Sequence, residues 1–249
     1  MASEETSTRF LAILMAIATS FAFGAFVSST ILSKQIDQVS SVNNYYVAPN
    51  DLSKTITKVQ DSTVMIECDE KDGTIGSGWA ISLENKSSQS LTGFGTSIIT
   101  AHHVVQDCME AGVVNVYKYG ENAKYRGIIE SWDSKQDLAL IATSAELEPL
   151  KLSPYPPTEG HWIMTVGSPD GYEASITTGE VMNYADNDIL FTAHISGGNS
   201  GGPLINNSGE VVGTVLASAA DADYNFAINL DGLCAKFIKC EGKFFWKWN

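Results

Sequence analysis

From residue 53 onward the chain is written in short apolar runs of four to eleven residues, punctuated by Gly, Asn, Asp, Ser or Pro. "TVMIEC", "GWAISL", "SIITA", "VVNVYKY", "RGIIES", "LALIAT", "WIMTVGS", "ASITTGEVMNY", "DILFT", "VVGTVLAS" and "YNFAI" follow one another in this way. They are rich in β-branched and aromatic residues, which fit a pleated, half-buried surface. No long helical pattern alternates with them, so a parallel α/β sheet is not expected. One exception closes the chain: Leu230, Leu233, Cys234, Phe237 and Ile238 keep the i, i+3, i+4, i+7, i+8 spacing of an amphipathic helix. A dozen strands in roughly 190 residues suit two barrels better than one open sheet. The expected fold is all-β: two six-stranded β-barrels, a C-terminal helix packed on them, and an N-terminal transmembrane or signal helix.

That N-terminal helix is read from residues 10–32, "FLAILMAIATSFAFGAFVSSTIL", which carry no charge. As a helix they would reach roughly 34 Å, enough for a bilayer core. A cleaved signal would have a basic leader and a shorter apolar core. Here Arg9 is opposed by Glu4 and Glu5 and the run is long, which favours an uncleaved anchor over a signal. Either reading makes the membrane a partner and puts the rest of the chain outside the cytoplasm, secreted if the segment is cleaved. The segments are a tail (1–9), the apolar segment (10–32), a polar linker (33–52), the domain (53–240) and an aromatic tail (241–249). The formal net charge of −14 excludes nucleic acid as a partner, because a phosphate backbone is bound through Lys/Arg clusters. Four cysteines (Cys68, Cys108, Cys234, Cys240) match no zinc spacing, and the four histidines are scattered, so no metal or cofactor is expected. In an oxidising compartment the cysteines could form two disulfides. Cys68 with Cys108 is the preferred bridge; Cys234 and Cys240 could pair only if the helix ends before Cys240.

Residues 194–203, "HISGGNSGGP", hold Ser200 between glycine pairs. A Gly-Ser cluster can be a plain turn. It can also present a nucleophile, since glycines admit a substrate backbone and offer N–H groups to an oxyanion. The G-x-S-x-G pattern inside it belongs to a hydrolase elbow whose histidine comes after the serine, and no histidine follows Ser200. The order His, Asp, Ser remains. "SIITAHHVV" carries His102 and His103 at the end of an apolar strand, and "QDLALI" has Asp137 where the chain enters the core. A serine hydroxyl needs an imidazole to take its proton, and the imidazole needs a carboxylate to hold its tautomer.

These blocks, with "GNSGGPLIN", "GSGWAIS", "VGSPDG" and "YNFAI", resemble the chymotrypsin-like serine proteases, in particular the Deg/HtrA branch, over roughly residues 53–240. The resemblance implies Ser200 as nucleophile, His103 rather than His102 as base, Asp137 as orienting acid, and the N–H groups of Gly198 and Ser200 as oxyanion hole. It implies polypeptide substrates and a homo-oligomer, commonly a trimer. Nothing resembling a PDZ domain follows residue 240. Ser196-Gly197 stands where many relatives have Asn-Pro, which is expected to loosen the oxyanion loop; Asn199 stands where zymogen-activated relatives have aspartate, which argues against activation by a freed N-terminus. His194 falls at the position resembling the base of the primary specificity pocket, with Val215, Ala217 and Ser218 along its wall. A neutral His194 would shorten an apolar pocket and favour small aliphatic residues; a protonated one would attract a carboxylate. The expected activity is a serine endopeptidase acting on exposed or unfolded polypeptide. The alternative is a catalytically silent protease-fold module that binds client polypeptides at the membrane.

Overall fold

In the computed structural model, which describes residues 44–69, 73–83, 94–185, 188–218 and 223–238, the punctuated runs become strands of two closed antiparallel barrels. The first contains β1 (Thr63–Cys68), β2 (Thr74–Ile81), β3 (Thr96–Ala101), β4 (Val113–Lys118), β5 (Lys124–Asp133) and β6 (Leu138–Thr143), paired in the order β1-β2-β3-β6-β5-β4. The second contains β7 (Trp162–Gly167), β8 (Ser175–Ala185), β9 (Asp188–Phe191), β10 (Pro203–Asn206), β11 (Val211–Ser218) and β12 (Asn225–Asn229), paired β10-β11-β12-β9-β8-β7. Closure leaves neither sheet a free edge. Each barrel fills with its own aliphatic side chains: Val64, Ile66, Ile98 and Ile141 in the first, Ile163, Met164, Ile189 and Leu204 in the second. Between them, the buried Trp79 of β2 donates its indole N–H to Thr214 Oγ1 of β11 (3.2 Å), satisfying a polar group that burial would otherwise penalise.

Two elements depart from the sequence reading. Helix α1 (Leu52–Asp61) occupies a stretch read as the end of the linker and the start of a strand-rich domain. Thr55, Ile56, Thr57 and Val59 are β-branched and weak helix formers, which hides it. The structure builds it from the Asp51 cap, whose side chain accepts from Lys54 N (3.3 Å), and from Ile56 and Val59, which pack on the core. β10 is the other, only four residues long and running straight on from the glycine-rich loop. The closing helix α3 (Leu230–Lys236) is present, with Leu230 and Leu233 fully buried and Phe237 and Ile238 packed beside them.

Cys68 and Cys108 form a disulfide, joining the end of β1 to the turn beyond His103. By loop-closure entropy a loop of this size stabilises the fold by about 4 kcal/mol. Cys234 is also disulfide-bonded, and α3 ends at Lys236, ahead of Cys240. No helix among the described residues is long and apolar enough to cross a membrane; residues 10–32 and 241–249 lie outside them.

Candidate active site

The register of β3 against β6 brings the first two polar groups together. Ala101 pairs with Leu138, so the residues just beyond each end of the ladder, His102-His103 and Asp137, become neighbours. There the chain turns into the short helix α2 (His102–Val105), with Val104 and Val105 pinned in the first barrel's core. Asp137 has φ +51°, a left-handed conformation that Asp and Asn tolerate better than most residues. The turn aims its carboxylate at one residue twice: Oδ1 accepts from His103 N (2.9 Å) and Oδ2 lies 2.6 Å from His103 Nδ1. Among the described residues His102 contributes its main chain, whose N–H donates to Asp137 O (3.0 Å). An imidazole held this way carries its proton on Nδ1 and leaves Nε2 as the basic nitrogen.

Ser200 arrives from the second barrel on the loop between β9 and β10. Gly201 makes the approach possible. A Cβ there would lie 2.1 Å from Ser77 O, 2.4 Å from Thr100 Oγ1 and 2.8 Å from Ala101 N, and its φ is +87°. Only glycine lets this backbone press against the end of β3, beside His102-His103. The Ser200 hydroxyl donates to Leu216 O at 2.5 Å. That carbonyl is available because β11 bulges against β12: Val215 pairs with Ala227 and Ala217 with Phe226, which leaves Leu216 between the rungs.

The loop around Ser200 is tied down at successive carbonyls. Asp170 N donates to Gly197 O (2.9 Å), Ser77 Oγ to Gly198 O (2.6 Å) and Ser77 N to Ser200 O (2.8 Å). With these carbonyls held outward, the N–H groups of Gly198 and Ser200 find no acceptor among the described residues. Two unspent donors on either side of Asn199, beside a hydroxyl, are what a developing oxyanion needs. Gly198 has φ +100°, and a Cβ on it would meet Ser168 O at 2.1 Å. The Ser196-Gly197 segment, expected to loosen the loop, is in this conformation anchored through Gly197 O. Asn199 is buried, with its N–H and its Nδ2 both reaching Ser196 O.

His194 is exposed on the same loop. Val215 is fully buried in the second barrel's core; Ala217 and Ser218 lie on the outgoing end of β11. His161 stands apart from all of these. Its Nδ1 accepts from Thr158 N (3.1 Å), it stacks on Tyr45 (5.0 Å between centroids), and burial disfavours its protonated form, so it caps a loop as a neutral ring. Three participants have no role in the sequence reading: Ser77, Asp170 and Leu216. Ser77 and Asp170 sit inside quoted motifs, "GSGWAIS" and "VGSPDG", but nothing in Leu216 itself marks its carbonyl as special.

Comparison with known proteins places this geometry in context. Residues 76–213, more than half of the chain, match the family described as "Trypsin-like peptidase domain". The "Probable periplasmic serine endoprotease DegP-like" of Chlamydia trachomatis is 34% identical over 164 residues, covering 59% of this chain and 32% of the relative. "Serine protease HTRA2, mitochondrial" of Drosophila pseudoobscura pseudoobscura is 26% identical over 232 residues, covering 85% of this chain and 53% of the relative. The chain thus spans from about a third to about half the length of these relatives. Among solved structures, the active form of the Rv3671c protease from M. tuberculosis superposes with a TM-score of 0.62 at 21% identity, covering 76% of this chain and 86% of that one.

Proposed function

The chain belongs to the family of trypsin-like peptidase domains, in its Deg/HtrA branch, and from that footing we propose that it is a serine endopeptidase that cleaves exposed or unfolded polypeptide. The observation that carries this reading is the meeting of His103 and Asp137 at 2.6 Å beside a serine loop with two unspent N–H groups. In the reaction Ser200 Oγ attacks the scissile carbonyl carbon while His103 Nε2 takes the hydroxyl proton. The carbonyl oxygen, now negative, is met by the N–H groups of Gly198 and Ser200. His103 returns the proton to the departing amine, and water then cleaves the acyl-enzyme by the same route. Before attack the Ser200 hydroxyl must leave Leu216 O. An extended peptide laid along β11 presents an N–H that competes for this carbonyl, so binding frees the nucleophile.

A peptide phosphonate that reacts with activated serines tests the assignment. Wild-type protein should be labelled on Ser200, and the Ser200→Ala variant should not; labelling that persists in the variant would sink this reading.

Specificity is proposed to follow from His194 and the Val215-Ala217-Ser218 wall. Cleavage is expected mainly after Val, Ala or Leu, which fit a short apolar pocket. Profiling with a peptide library checks this; cleavage chiefly after Lys or Arg would remove His194 from the pocket base.

The domain is proposed to work outside the cytoplasm, held there by residues 10–32. The Cys68–Cys108 disulfide supports this, since such bonds persist in oxidising compartments, and the relatives' names include "periplasmic" and "mitochondrial".

A further inference from the structure

Ser77 belongs to the first barrel, yet its hydrogen bonds set the loop of the second. It is fully buried in β2, between two glycines required by close packing: a Cβ at Gly76 would lie 2.4 Å from Val104 side-chain carbons, and one at Gly78 2.6 Å from Ile98 Cγ2. Ser77 is thereby pressed against the nucleophile loop, with every polar group engaged. Its hydroxyl donates to Gly198 O (2.6 Å) and accepts from Ser168 N (2.9 Å); its N–H donates to Ser200 O (2.8 Å); its carbonyl accepts from Thr100 Oγ1 (2.6 Å).

The carbonyl of Gly198 lies between the two donors of the oxyanion hole. A glycine at φ +100° has no side chain to resist rotation, so this peptide keeps its orientation through its hydrogen bonds: those its oxygen accepts, and the one Asn199 N–H donates to Ser196 O (3.1 Å). Apart from Ser77 Oγ, that oxygen has one partner among the described residues, Ser168 N at 3.4 Å. Ser168 N in turn is shared with Ser77 Oγ, so one hydroxyl organises both contacts.

We propose that Ser77 is a positioning residue that fixes the oxyanion hole across the barrel interface by holding the Gly198 carbonyl. The proposal rests on the reading of Ser200 as a nucleophile. A group that orders the hole acts on the transition state more than on bound substrate. Removing one hole donor outright commonly costs about 10²–10³ in kcat, so loosening a donor without deleting it should cost about 10–100-fold.

Two ligands separate positioning from plain structural support. A peptide boronic acid forms a bond from Ser200 Oγ to boron, passes the hydroxyl proton to His103, and places a boron-bound oxygen in the hole. The same peptide ending in a carboxamide binds without using the hole. In Ser77→Ala, kcat on a peptide ester should fall about 10–100-fold with KM within about twofold. Boronate affinity should fall by about tenfold or more while carboxamide affinity holds. If Ser77→Ala does not fold, as judged by its melting profile, Ser77→Cys, slightly larger and a weaker donor, should show the same split. Parallel loss of both affinities, or turnover within about twofold of wild type, overturns the positioning role. Wild-type protein that binds no boronate and takes no phosphonate label overturns the nucleophile assignment, and this proposal with it.

Discussion

Replacing Asp137 with asparagine is expected to leave the fold intact and slow peptide hydrolysis by about 10⁴-fold, the scale on which a serine–histidine pair fails when the imidazole carries its proton on the wrong nitrogen. The geometry gives the reason. Asp137 Oδ1 accepts from His103 N and Oδ2 faces His103 Nδ1. An asparagine can keep the first bond with its amide oxygen, and its amide NH₂ then faces Nδ1. A donor there makes Nδ1 an acceptor and moves the ring proton to Nε2, where it blocks proton removal from Ser200. Asparagine also tolerates the φ of +51°, so the turn should survive. Steady-state kinetics beside a thermal melt decides it: a loss under tenfold with an unchanged melt would mean that Asp137 does not orient the base.

The histidine pair gives the second large effect. His103→Ala should cost at least about 10⁴-fold in kcat, whereas His102→Ala should stay within a few-fold of wild type. His102 serves through its main-chain N–H to Asp137 O, which alanine keeps. The Asp137→Asn, His103→Ala double variant should be no slower than His103→Ala alone, because an orienting acid has nothing to orient once the imidazole is gone. Turnover of single and double variants measures this, and an inactive His102→Ala would reverse the roles.

Much of the architecture could be read from residue types because closed antiparallel barrels depend on local patterning. "LALIAT" and "SIITA" are strands in any reading, since β-branched runs of that length bounded by turn residues have few alternatives. Helix α1 escaped because its β-branched residues argue locally for extended structure, while its stability comes from a cap and from packing of Val59. The candidate base and acid stood out because His102-His103 follows the end of one apolar strand and Asp137 immediately precedes another. What joins them to the serine is long-range: Ser77 and Gly198 are 121 residues apart, and Ser200 and Leu216 meet through a bulge. A bulge is a matter of register between strands, and no single residue records it.

Gly201 belongs to the second barrel, and the atoms that a side chain there would strike, Ser77 O, Thr100 Oγ1 and Ala101 N, belong to the first. A substitution at Gly201 would therefore wedge the two halves of the molecule apart. A descendant that abandoned hydrolysis could exchange Ser200 or His103 at little structural cost, yet would have to keep the glycine to stay folded. Gly201 therefore answers to the packing of the two barrels, whatever Ser200 does.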